Sequence, residues 1–278
     1  MDSITESRPA IRASEGTDSG FERLKRRGQR HESLIVSVLA VSAFLIIWEL
    51  APRMGWVKPI FTSSPSRIIT AGQWLFANGL WYDIWVSLTE FWLGFGLAVL
   101  IGVPLGIGLG WFRRLRATLE PFVVVMYSVP RVALLPLIIL WVGIGIESKI
   151  AIVFLGAVFP VIISVMTGVR MVDENLVRCA RTFGAKDRQL LLTVVVPSTV
   201  PFMIAGLRLG AGRGLVGVVV GELVASTAGV GHMMSRAGAT FQTDKVFVGV
   251  LLLAIFGLFL SELFKYLEAR VEPWRPRR

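Results

Sequence analysis

Five charged residues stand inside, or at the ends of, otherwise apolar runs: Glu90, Arg131, Arg208, Arg213 and Glu222. A charge at mid-bilayer costs about 2.5–3.5 kcal/mol on insertion scales, so such side chains face a bundle interior or a wet cavity. Two roles suit them. They tie helices together as ion pairs, or they line the route of a polar or anionic solute, with Ser128 as a further polar candidate on that route. Arg208 and Arg213 are five residues apart, about 140° around a helix, and Arg213 and Glu222 fall on opposite faces. Arg208 and Glu222 share a face but lie about 21 Å apart along a continuous helix. Their partners must therefore come from other helices, from water or from a solute. Three arginines against two glutamates leave a positive excess, which suits an anion, and Glu222 is expected near the outer mouth.

The remaining chemical inventory is thin. The lone Cys179 excludes an internal disulfide, and His31 and His232 are the only imidazoles. No metal-site spacing and no Gly-x-x-x-x-Gly-Lys-Ser/Thr phosphate loop occurs. No carboxylate pair is evident within the apolar runs, which leaves an intramembrane enzyme few groups to work with.

The elements that carry these residues are membrane spans. The 278 residues are 54% hydrophobic and 17% charged, with a mean hydropathy of +0.67; a soluble domain carries about 25% charged residues. Apolar runs cover approximately Leu34–Leu50, Ile84–Trp111, Phe122–Ile144, Ile150–Val169, Val194–Leu223 and Val246–Ser261. A bilayer-crossing helix needs about 20 residues, so the expected fold is all-α, a polytopic bundle of about six transmembrane helices. With a cytoplasmic N-terminus, the inner stretches 1–33, 112–118, 170–193 and 265–278 hold twenty Lys and Arg, and the outer stretches 53–84, 143–149 and 223–245 hold six. The positive-inside rule favours that orientation. The net charge of +10, and the run Lys25-Arg26-Arg27, then reflect topology and not a nucleic-acid footprint. Residues 1–33 read as a disordered cytoplasmic tail, too long for a secretory n-region, 34–266 as the permeation domain and 267–278 as a cytoplasmic tail.

Glycines recur four apart at Gly102, Gly106 and Gly110, at Gly206, Gly210 and Gly214, and at Gly217 and Gly221. Small residues at this spacing let backbones approach, either within the chain or between subunits. Pro130 and Pro136 break the third span, and each removes a backbone donor. Freed backbone is tolerated at membrane depth where protein buries it or water reaches it, so the break marks either a kink or a transport pathway.

The most ordered connection is Asp173 to Pro201. Asp173 is a plausible N-cap, with Glu174 in the first turn. Leu176, Cys179 or Ala180, and Phe183 make a narrow apolar stripe, with Arg178 and Arg181 outside it. Gly184 is placed to end the helix in a left-handed conformation. Ala185 and Lys186 turn the chain, and Asp187 is positioned to cap a second helix that runs into Pro197 and Pro201. A helix of this kind either enters a groove on a partner or rests on lipid head groups.

Gly184, Val194, Val196 and Pro197 resemble the Glu-Ala-Ala loop of ABC importer permeases. Ser64-Pro65-Ser66, Leu134 to Gly145, Ala180 to Ala185 and Gly206 to Gly214 resemble the branch that handles nitrate, sulfonates, taurine and bicarbonate. The resemblance covers roughly residues 60–265. It implies that Glu174, Leu176, Arg178, Cys179, Ala180, Phe183, Gly184, Ala185 and Pro197 form a coupling loop for an ATPase subunit. It also implies two ATPase copies, a second permease copy and an external solute-binding protein. No cofactor is expected on this chain, since ATP and Mg belong to the partner. The family's signature Glu falls on Arg178 and its first Ala on Cys179, a charge reversal that Glu174 could offset from one turn earlier. A secondary transporter or channel is the alternative, but it supplies no reason for the ordered loop, and no inverted second half is evident.

Overall fold

The computed structural model describes the backbone of residues 18–271, which divides into one unit up to Pro65 and another from Ser66 onward. In the first unit, α1 spans Asp18–Arg53 and α2 spans Pro59–Thr62. The expected disordered tail is thus helical from Asp18, while residues 1–17 lie outside the described part. The stretch from Asp18 holds no proline before Pro52 and is rich in Glu, Arg, Lys and Leu, which propagate a helix readily. From Ile35 onward α1 has a mean hydropathy of 2.1 over its most apolar window, none of it buried within the chain. Such an all-round apolar surface requires lipid or another protein.

The second unit contains α3 (Pro65–Ala77), α4 (Leu80–Trp111), α5 (Arg113–Ser128), α6 (Arg131–Val142), α7 (Ile146–Arg170), α8 (Glu174–Thr182) and α9 (Asp187–Leu190). A π-helical turn, Leu191–Val195, leads into α10 (Val196–Ala225), followed by α11 (Val230–Ala239) and α12 (Thr243–Val271). Among the described residues, five helices are long and apolar enough to cross a membrane. α5 and α6 bend by 99° and make a sixth span if counted as one. The bend lies at Pro130, which cannot donate to the preceding turn, whereas Pro136 sits inside α6 and does not end it. The basic stretch expected as the connection 112–118 is reduced to Phe112, and Arg113, Arg114 and Arg116 open α5.

α7 is the central helix. More than half of its most apolar window is buried, and both α4 and α10 lie along it. The glycine rows explain the close approach. A Cβ on Gly106 of α4 would stand 2.7 Å from Val165, and one on Gly102 would stand 3.0 Å from Val161. From α10, a Cβ on Gly210 would meet the Ala157 carbonyl at 3.0 Å, and one on Gly217 the Ile152 carbonyl at 3.3 Å. These rows are therefore intramolecular seams. Phe91, Phe95, Val153, Ala157, Leu260 and Phe264 fill the core between them. Phe91 stacks on Phe95 at 5.5 Å and meets Phe256 edge-on at 5.2 Å.

Candidate functional site

The loop that enters α10 is ordered by short-range bonds. Asp173 Oδ1 accepts the Asn175 N–H at 2.8 Å and caps α8. At the other end Gly184 takes φ +81°, its N–H donates to the Arg181 carbonyl at 2.9 Å, and the Ala185 N–H donates to the Ala180 carbonyl at 3.0 Å. That pair of bonds is the Schellman closure, which needs a left-handed residue at the position Gly184 holds. The next helix starts one residue earlier than expected for its cap. Lys186 is the N-cap, its N–H donating to Gln189 Oε1 at 3.0 Å, and Asp187 is already helical. Pro197 and Pro201 do not end this helix. The π turn Leu191–Val195 immediately precedes them, and α10 continues through both. Its wider winding changes which carbonyls need donors just where proline withholds them.

The apolar stripe of α8 is split between two faces. Val177 and Ala180 pack inward on the buried Val169, Leu190 and Val195. Leu176 and Cys179 are exposed, and Phe183 is 87% exposed. Ala180 thus serves the chain's own packing, whereas Phe183 stands at the C-cap, past the last helical turn. Glu174 pairs with Arg178 at 3.0 Å and Arg181 with Asp187 at 3.4 Å, all four in solvent. The acid one turn before Arg178 therefore pairs within the helix, a contact worth little in water.

The intramembrane charges separate into three settings. Arg131 and Arg213 come together at a cavity of about 270 Å³ bounded by α6, α7 and α10. Arg131 Nε donates to the Leu155 carbonyl of α7 at 2.7 Å, and Arg213 Nη2 donates to the Tyr127 hydroxyl at 2.7 Å. Both guanidinium groups lie over the Tyr127 ring, at 5.7 and 4.5 Å from its centroid. Arg208 faces elsewhere and meets Glu268 of α12 at 3.9 Å, about half-exposed. Ser128 is exposed, and its hydroxyl donates back to the Val124 carbonyl of its own helix at 3.0 Å.

Glu222 is 1% exposed and does not border that cavity. Its Oε2 accepts the Gly231 N–H at 2.6 Å, and its Oε1 accepts the Ser87 hydroxyl at 2.5 Å. Ser87 in turn accepts the Val230 N–H at 2.9 Å, and Asp83 accepts the Gly229 N–H at 2.8 Å. α4 and α10 together thus satisfy the free donors at the start of α11. Glu90, equally buried, stands beside Glu222 and 4.0 Å from the buried Lys149. Nothing along the chain marks this carboxylate pair. Its members are 132 residues apart and meet only through the packing of α4 against α7 and α10. Glu222 thus clamps the turn into α11. Among the described residues, no group of three or more His, Cys, Asp or Glu could hold a metal ion.

Residues 98–273 match the family of binding-protein-dependent transport system inner membrane components. The chain belongs to this family. It is a permease subunit of an ABC importer, a multi-pass inner-membrane protein and not itself an enzyme. The taurine transport system permease protein TauC of Escherichia coli is 33% identical, over 91% of this chain and 94% of its own. A putative aliphatic sulfonates transport permease protein, SsuC of Bacillus subtilis, is 32% identical over 90% and 91%. In fold, the permease is similar to a chain of the MetNI methionine ABC transporter in an inward-facing conformation. The TM-score is 0.63 at 20% identity, covering 69% of this chain and 95% of that one.

For this permease, reasoning from sequence missed Tyr127, Lys149 and Ser87. Tyr127 carried a signal, a rare tyrosine three residues before the Pro130 break, in a chain with only three. Lys149 was assigned to an outer loop because it sits next to Ile150, where the apolar run starts; α7 in fact begins at Ile146 and buries it. Ser87 carried no signal, since a lone serine in a span usually bonds its own helix.

Proposed function

We propose that the permease works as a homodimer with two ATPase subunits, and that it moves a small anion delivered by an external binding protein. α8 is the surface on which the ATPase docks. The observation that carries this reading is a fully capped helix presenting Leu176, Cys179 and Phe183 to solvent, while Val177 and Ala180 anchor it to the end of α7, to α9 and to the π turn that leads into α10. A large exposed apolar side chain on a rigid mount suits a partner's groove. Force on α8 passes through that anchor into α10, the helix that carries Arg213. ATP binding in the partner then shifts the population between outward- and inward-open arrangements. A solute with an oxyanion group is supported by the relatives named for taurine and aliphatic sulfonates and by the two arginines of the cavity. Arg131 and Arg213 border the route; Arg208, paired with Glu268, and Ser128 stand away from it. Both termini lie in the cytoplasm, on the side of α8.

The native Cys179 tests docking and orientation together. A membrane-impermeant thiol reagent should leave it unlabelled in intact cells. It should label it in inverted vesicles stripped of the ATPase, and adding back the copurifying P-loop ATPase should block the reaction. Labelling from outside would reverse the orientation, and labelling indifferent to the ATPase would remove α8 from the docking surface.

A further inference from the structure

We infer that the cavity between α6, α7 and α10 binds one oxyanion head group on a short apolar tail, with Arg131 and Arg213 holding the head and an aliphatic wall taking the tail. The inference rests on the permease reading and specifies what the route recognises.

The two guanidinium groups are left without counter-charge. Their only hydrogen-bond acceptors among the described residues are neutral, the Leu155 carbonyl and the Tyr127 hydroxyl, and neither group takes part in the ion pairs of the described residues. Arg208, on the same helix as Arg213, has Glu268. A guanidinium without a counter-charge favours an anionic acceptor, and its fork matches the paired oxygens of a sulfonate or similar oxyanion.

Depth and lining narrow the ligand. Arg213 is twelve residues from the end of α10 at Ala225, about 18 Å along the axis, deep within the apolar span. The wall includes Val132, Leu135, Ile152, Val216 and Val220, and no carboxylate borders the cavity. A methylene tail fits there, whereas an ammonium group on the tail would find no acidic partner. About 270 Å³ holds a head group and a few carbons. The site therefore favours a simple alkanesulfonate over a zwitterion such as taurine. Tyr127 is a positioning residue, fixing Arg213 through its hydroxyl and its ring.

The test uses the permease copurified with its ATPase, in nanodiscs of zwitterionic lipid, with 1-butanesulfonate, taurine and butyltrimethylammonium as probes. Butanesulfonate should bind at least tenfold more tightly than taurine, and the cation should not bind. Arg131→Gln and Arg213→Gln should each weaken butanesulfonate at least tenfold, and Tyr127→Phe several-fold. Val216→Asp, which adds the missing acid to the wall, should move the preference toward taurine, a gain that misfolding cannot imitate. Equal affinity for butanesulfonate and taurine would overturn the inference, as would unchanged binding in Arg213→Gln. Loss of butanesulfonate binding in discs containing anionic phospholipid would also overturn it, by assigning the arginines to a lipid phosphate. Failed probe binding in a complex that keeps its ATPase sinks this site alone; a permease with which no ATPase copurifies sinks the transport assembly.

Discussion

The two ends of α10 are built in opposite ways. Where the chain enters, polar groups find partners within six residues: Asp173 with Asn175, Glu174 with Arg178, Gly184 with Arg181, Lys186 with Gln189, Arg181 with Asp187. Where it leaves, the turn to α11 is held from α4 by Ser87 and Asp83, 135 to 146 residues away, and those bonds are buried or partly so. A segment that satisfies itself locally can stay folded while it shifts against its neighbours, and its surface remains available to a partner. A turn whose donors are satisfied only by other helices holds its shape while those helices stay packed. The entry is thus suited to receive a push, and the exit to resist one.

Removing the exit clamp should have the largest effect. Glu222→Ala strands the Gly231 N–H and the Ser87 hydroxyl in a buried site, and about 3 kcal/mol or more of stability should go with it. Thermal unfolding in detergent would show this as a sharp fall in midpoint, and an unchanged midpoint would dissolve the contrast between the two ends. Two glycines then compare crowding with backbone strain. Gly231→Ala would set a Cβ 2.7 Å from that of Glu222 and 3.0 Å from the Val219 carbonyl, for a cost of about 1–3 kcal/mol. Gly184→Ala meets nothing within 4 Å, so only its φ of +81° resists, at about 1 kcal/mol. The same melting assay ranks the two, and a larger loss at Gly184 would contradict the self-contained entry. The smallest change in stability, within about 0.5 kcal/mol, is expected for Phe183→Ala, because that ring is 87% exposed. Its effect should appear instead as weaker ATPase retention during purification. Full retention would show that the exposed ring is not part of the contact.

Much of this architecture was legible from residue order. Long apolar runs, the Asp173 cap and the Gly184 stop are local signals, and each is satisfied by atoms a few residues away. The Pro130 break is local too, since proline withholds its donor wherever it sits. The π turn just before Pro197 and Pro201 was not legible, because it leaves no mark in composition. The helical onset at Asp18 was missed for a different reason, because a polar composition does not by itself distinguish a solvated helix from an unstructured tail.

What the sequence by itself determined is the membrane-spanning all-α class, the family loop and the roster of costly charges. Only the tertiary structure decided how each charge is used. Periodicity places a residue on one side of its helix, but the rotation of that helix in the bundle depends on how Gly106 and Gly210 let α4 and α10 settle against α7. That settling brings Glu90 beside Glu222, turns Arg208 toward Glu268 and leaves Arg131 and Arg213 at one cavity without an acid. It also turns Ala180 inward and Phe183 outward, a choice made by packing against Val169, Leu190 and Val195. Contacts between distant helices are set by shape and burial, and no spacing along the chain encodes them.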